Sequence, residues 1–282
     1  MHHSSTEIIK ARSSIRKYSF RELPGNKLSE IFHILTTENE GPFGNICRFW
    51  LIDSESYRNE PVKLGTYGFI SGLRYIIAGT VTKEVPMNME DYGYVLERKI
   101  LHFTRMGLGT CWIGGTFRRS EYAKTTTYKD GEIIPAITPI GFPAEKRGLR
   151  ERLIKFLARS KTRKDWSELF FDKDPSKPLT REAAGIFANA LEMVRIAPSA
   201  NNAQPWRIVK EGKQFHFFLA RNKVNESYKS VDLQRIDLGI AIAHFDLALI
   251  DEGITGICQT EDKLTVPEGW TYITSYTTFL SE

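Results

Sequence analysis

Cysteine is scarce in this chain. Its 282 residues hold three, Cys47, Cys111 and Cys258, all far apart. That spacing excludes a disulfide framework and the CxxC pattern of a zinc site, and a reducing, cytoplasmic setting is expected. The six histidines form no HExxH and no spacing that points to a metal. His102 and His244 fall in apolar helical runs and read as structural. No apolar run approaches the roughly 18 residues of a membrane span. The N-terminal "MHHSSTEIIKARSSIRKYSF" has no apolar stretch ahead of a cleavage site, so neither a membrane segment nor a secretory leader is expected. A GxGxxG dinucleotide fingerprint is missing as well. The net charge of +5 comes without aromatic interleaving or a nucleic-acid motif, and no nucleic-acid partner is expected.

What is present is enough apolar material, 41% of residues, for a proper core in one large or two ordinary domains. Basic residues gather at 145–164, "EKRGLRERLIKFLARSKTRK", which reads as a solvated helix face and linker; the rival reading is an anionic ligand. Periodicity predicts helices near 5–12, 26–37, 91–106, 146–159, 180–195 and 236–251. Strands are predicted near 48–53, 73–81, 109–114, within "EIIPAITPIGF", and near 206–210, 214–220, 254–259 and 270–279. Between them "FFDKDPSKPL" (170–179), with two prolines and mixed charge, reads as a linker.

After that linker the pattern restarts. "DYGYVLERKILHFTRMGLGT" (91–110) lies over "DLGIAIAHFDLALIDEGITG" (237–256) without a gap, at an offset of 146 residues. Asp91 meets Asp237, Gly93 meets Gly239, Leu101 meets Leu247 and Gly107 meets Gly253. Upstream, Pro42, Asn45 and Trp50 meet Pro198, Asn201 and Trp206 at an offset of 156. Two ordered blocks point to a tandem repeat of domain size, residues 1–169 and 170–282, in which two similar halves imitate a two-fold dimer inside one chain.

Three short segments carry chemistry. "RSSIR" sets Arg12, Ser14 and Arg16 within five residues, a group suited to a phosphate monoester, since arginine offers paired donors and serine another. "APSANNAQPW" (197–206) packs Ser199, Asn201, Asn202 and Gln204 between Pro198 and Pro205. Short amides and hydroxyls on a rigid loop pair with uncharged polar groups of a ligand, and prolines lower the loop's entropy. "GLGTCWIGG" (107–115) is a strand bracketed by glycines, which let backbone approach a planar ligand closely. Trp112 within it either caps such a ring or fills core.

Together these segments resemble the FMN-dependent nitroreductase family, and most closely its subgroup with two nitroreductase-like halves fused in one chain. The resemblance implies an α+β fold duplicated in tandem, packed as a pseudo-two-fold dimer. It implies an FMN held by Arg12, Ser14 and Arg16 at its phosphate and pyrimidine edge. Gly114 and Gly115 would pass along the ring, and Pro198, Ser199, Ala200, Asn202 and Gln204 would reach it from the other half. The later segment "GFPAEKRGLR" would supply a second phosphate cation, Arg150 or else Arg147. Asn201 stands where the family has Gly, and Gly114 where some members are acidic. The first half keeps the phosphate and glycine segments but its loop, "GPFGNICRFW", lacks the Ser and Gln; the second half keeps the loop alone. One FMN per chain is therefore expected. The implied activity is NAD(P)H-dependent reduction of a flat acceptor such as a nitroaromatic or quinone, in ping-pong order, with the chemistry on FMN and no catalytic side chain. The rivals are a non-catalytic flavin-binding module, and dehalogenation or flavin breakdown on the same fold. A chain acting alone as its own pseudo-dimer, with no membrane partner, completes the expectation.

Overall fold

The computed structural model describes residues 4–57, 70–115, 117–144, 162–221, 231–261 and 264–280. The helix expected at 146–159 lies outside them. Two compact units form. One is Ala11–Gly148; the other is Leu149–Glu282 together with Met1–Lys10.

In the first unit, α2 (Gly25–Thr36) leads to β1 (Arg48–Asp53) and β2 (Tyr75–Thr82), then α3 (Asn88–Arg105), β3 (Gly109–Thr110), α4 (Arg119–Lys124), β4 (Glu132–Ile133) and β5 (Ile137–Gly141). The sheet runs β1-β2-β5-β3, with β4 paired to β2, and its pairings are antiparallel. β2, "YIIAGTVT", is buried up to its last residue, as a central strand covered on both faces must be. Ile52, Ile76, Ala78, Phe117, Tyr122 and Ile137 form its core. α3 carries Glu90 and Asp91 in its first turn and His102 and Arg105 in its last, which complements the helix dipole. Gly107, at φ +76°, turns the chain out of it.

The second unit takes α1 (Ser5–Ala11) at its N-terminal end. Asp251 accepts the Ser5 and Thr6 backbone N–H groups at 3.0 and 2.7 Å, so a carboxylate from the far end of the chain satisfies the first turn of α1. The unit continues with α5 (Trp166–Leu169), β6 (Phe170–Asp172), α6 (Arg181–Ala184), α7 (Ala188–Ile196), β7 (Trp206–Glu211), β8 (Gln214–Ala220), α8 (Leu233–Asp251), β9 (Ile254–Gln259) and β10 (Trp270–Leu280). Its sheet order is β6-β7-β8-β10-β9. Rings of Phe187, Phe215, Phe217, Phe245 and Tyr276, tilted or edge to face, fill its core. α8 is apolar almost all round and is capped by Asp232, which accepts from Gln234 and Arg235 N–H. Gly253, at φ +72°, ends it as Gly107 ends α3.

The paths β1-β2-β5-β3 and β7-β8-β10-β9 have the same antiparallel order. β6 extends the second by a parallel pairing with β7. That strand corrects the linker expected at 170–179. Phe170 and Phe171 are buried, and two aromatic side chains outweigh the prolines and charges that follow. The helix expected at 180–195 is broken by Gly185, at φ +57°, into α6, a 3-10 turn and α7. The strand expected at 109–114 keeps regular pairing for two residues only. Cys111 N–H turns to the Thr138 hydroxyl, and the chain rejoins β5 as a lone bridge at Ile113.

Candidate functional site

Of the residues singled out from the sequence, Arg12, Ser14, Arg16, Gly114 and Gly115 lie in the first unit. Pro198, Ser199, Ala200, Asn202 and Gln204 lie in the second. Arg147 and Arg150 fall outside the described residues.

In the first unit the "RSSIR" segment is an added strand-like edge. Ser14 bridges Thr110 in parallel, and Ile15 N–H donates to Thr110 O at 2.8 Å. Ser71 binds it from the other side: Tyr18 N–H donates to Ser71 O, and Ser71 N–H to Arg16 O. Gly109 makes this approach possible. A Cβ there would stand 2.8 Å from the Ile15 Cβ, closer than side chains tolerate. The glycine-bracketed segment thus uses Gly107 for a helix end and Gly109 to admit its own chain. Gly114 offers its carbonyl to Arg119 at 2.8 Å.

This pairing sets the basic segment beside Cys111 and Trp112. Ser14, Arg16 and Arg12 all lie near enough to the Cys111 thiol to favour its ionised form. Burial still dominates and raises the thiol's pKa. The buried Arg12 side chain lies with Nε 3.6 Å from Glu97 Oε1, and that Nε has no hydrogen-bond partner among the described residues. Trp112 is half-buried and its indole N–H donates to Glu97 Oε2 at 2.6 Å. Glu97 escaped the sequence reading because it sits in a helix whose spacing announces packing only.

In the second unit the polar loop is highly ordered. Asn201, Asn202 and Gln204 all take left-handed backbone, with φ of 52°, 56° and 47°. Asn is among the residues that tolerate this region, which is how Asn201 stands in for glycine. Ser199 Oγ accepts from Gln204 N–H at 3.0 Å. Gln204 is buried; its Oε1 accepts from Lys164 N–H at 2.9 Å and its Nε2 donates to Asn202 O at 3.2 Å. Asn202 Nδ2 donates to Thr162 O at 2.7 Å, and Arg163 donates to Asn202 Oδ1 and, at 2.9 Å, to Ile196 O. The Asn202 and Gln204 amides therefore bind the 162–164 segment to the loop. Arg163 and Lys164, with Asn202 and Gln204, line a cavity of about 450 Å³. They belong to the basic run that the sequence offered as a solvated face, and nothing in their spacing marked them out. Ala200 N–H donates to Asp237 Oδ1 at 2.9 Å. Burial pushes the Asp237 carboxyl up to about 8.

Among the described residues no cluster of His, Cys, Asp or Glu could hold a metal, and no helix is long and apolar enough to cross a membrane. His244 is buried against Met193 O, whereas His102 lies on the exposed side of α3.

No curated protein sequence matches the chain. A crystal structure of a putative nitroreductase from Thermotoga maritima is 18% identical, with a TM-score of 0.61 over 99% of this chain and 95% of that one. An FMN-dependent nitroreductase from Clostridium difficile R20291 is 20% identical, with a TM-score of 0.41 over 53% of this chain and 94% of its own. A nitroreductase family protein from Clostridium novyi NT is 19% identical, with a TM-score of 0.42 over 51% and 87%. The Thermotoga likeness gives the fold, a nitroreductase-like α+β architecture with two sheets. The family model described as "Putative TM nitroreductase" matches residues 5–249, and the chain belongs to that family.

Proposed function

We propose that this protein is an FMN-dependent oxidoreductase that binds one FMN per chain and reduces a flat conjugated acceptor at the expense of NAD(P)H. The observation that carries this reading is the convergence of Arg12, Ser14 and Arg16 on the Thr110–Trp112 segment. Two guanidinium groups and a hydroxyl gather around one thiol. This is a donor set for a phosphate monoester, and it fits FMN.

The chemistry FMN supplies when bound is two-electron transfer from a nicotinamide donor to the acceptor in ping-pong order. The chain's own residues hold and orient it. Arg12 and Ser14 take the phosphate. Arg16 places positive charge where negative charge develops at the pyrimidine edge. Pro198, Ser199, Ala200, Asn202 and Gln204 contribute an ordered loop. The Gln204 amide is bonded on both sides inside its own unit, so its part is to fix the loop's shape. Gly114 and Gly115 complete the set proposed to contact the ring. The polar set includes no dedicated acid or base, because redox transfer at FMN needs none from the chain.

The common strand order of the two sheets supports a tandem duplication. So do the two long helices, each ended by a left-handed glycine at matching positions. After duplication each half kept a different part of the flavin site, which accounts for one cofactor per chain. We place the protein in the cytoplasm. The test is optical. The purified protein, incubated with FMN and desalted, should keep a flavin spectrum, bleach with NADH or NADPH under nitrogen, and recover when a nitroaromatic or quinone is added. Protein that retains no flavin ends this reading.

A further inference from the structure

α3 carries a carboxylate that its packing does not require. Glu97 is fully buried. Burying an ionised carboxylate is costly unless well-placed partners compensate. At the offset that aligns α3 with α8, the counterpart of Glu97 is Ala243, equally buried. The same helix in the other half is thus packed with a methyl group at this place.

The partners of Glu97 follow the same division. Its Oε2 accepts from the Trp112 indole at 2.6 Å, and its Oε1 faces Arg12 Nε at 3.6 Å. The counterpart of Trp112 is Cys258, and where the first half has "ARSSIRKYSF" the second has "FFDKDPSKPL". A carboxylate that served the helix would recur with the helix. One that serves Arg12 and Trp112 recurs only with them, and that is the pattern found.

We propose that Glu97 is a positioning residue for the anion site at Arg12. It holds the Nε side of the guanidinium and fixes the Trp112 indole, so that the NH2 groups of Arg12 are presented to the FMN phosphate. An anchored cation loses less side-chain freedom on binding than a free one, so the anchor adds affinity without touching the ligand. The proposal rests on the FMN reading above.

The test compares FMN with riboflavin, which has the same ring and ribityl chain but no phosphate, on the full chain freed of flavin. The ratio of the two affinities reads the phosphate contact alone. Glu97→Gln should cut that ratio about tenfold or more, with riboflavin affinity within about twofold of wild type. Arg12→Ala should cut the ratio roughly ten- to a hundredfold, and adding Glu97→Gln to it should change the ratio no further, because both act through one contact. Equal losses for both ligands, an unchanged ratio, or additive losses in the double variant would overturn the proposal. Should Glu97→Gln fail to fold, Trp112→Phe removes one donor to the same carboxylate. A smaller drop in the ratio is then expected, and no drop overturns the proposal. A wild-type protein that binds neither ligand fails differently: it removes the FMN reading and this inference with it.

Discussion

Asp91 and Asp237 stand at matching places near the start of α3 and α8; Asp91 holds the loop that precedes β1, and Asp237 the loop that precedes β7. Asp91 receives three hydrogen bonds, from Phe43 N–H at 3.0 Å, Asn45 N–H at 2.9 Å and the Asn45 amide at 2.8 Å. Asp237 receives the Ala200 N–H, and its Oδ2 has no hydrogen-bond partner among the described residues. Burial raises the pKa of both carboxyls, and bonded donors oppose it at both. With fewer donors, Asp237 rises to about 8. The first half's loop is a closed clasp that has lost its Ser and Gln. The second half's loop is tied to its helix through the Ala200 N–H and Asp237, and it keeps both. The two loops thus differ in how many donors they give the carboxylate at the matching place.

The largest effect that sharpens this contrast is expected from the clasp. Asp91→Ala should destabilise the protein by about 3 kcal/mol, since it strands three donors in a buried place. Asp237→Asn should stabilise the protein at neutral pH, because one acceptor survives and the cost of keeping a proton on the folded carboxyl, which the unfolded one has released, is removed. Denaturant unfolding of the two variants measures both. Equal losses would mean the two carboxylates do the same work.

Next comes Gly109, whose counterpart in the second half is Thr255. Gly109→Thr copies the half that lacks "RSSIR". It should cost about 2 kcal/mol and weaken FMN binding, because a Cβ meets Ile15 at 2.8 Å. Unchanged stability and FMN affinity would break the link between that glycine and the phosphate segment.

Arg12→Ala should weaken FMN retention roughly ten- to a hundredfold, the loss of one charge-assisted contact of about 1.5–3 kcal/mol. Arg48 gives the comparison. It pairs with Glu132 at 2.9 and 2.6 Å, so Arg48→Ala should lower stability and leave FMN affinity alone. Calorimetric titration separates the two.

The pH dependence tests Asp237 itself. An unfolded carboxyl loses its proton near 3.8, whereas the folded one keeps it to about 8. Between those values the native state holds a proton that the unfolded state has released, so stability falls as pH rises through the window, by up to about 1.4 kcal/mol per unit. Asp237→Asn should remove that slope, visible as a flatter Tm profile from pH 5 to 8. Parallel profiles for wild type and variant would contradict it. The smallest effect belongs to Asn201. Asn201→Gly should leave Tm nearly unchanged, and Asn201→Ala should cost about 1 kcal/mol, because φ is 52°.

Much of this was legible in the sequence because it is local. The long helices and the central strands announce themselves by periodicity, and the basic segment, the glycine-bracketed segment and the polar loop by composition. What was hidden depends on pairs of residues far apart in the chain. Gly109 serves Ile15, Glu97 serves Arg12 and Trp112, and Asp251 caps α1. β6 was concealed because its parallel partner, β7, lies beyond two helices. The amides of Asn202 and Gln204 look ready for a ligand in sequence, and only the fold reveals that they bind the 162–164 segment.

The central claim is that one half lost the phosphate site and the other kept it, and FMN titration of the flavin-free chain tests it most directly. Quenching of flavin fluorescence should saturate at one FMN per chain. Two equivalent FMN per chain would contradict the account.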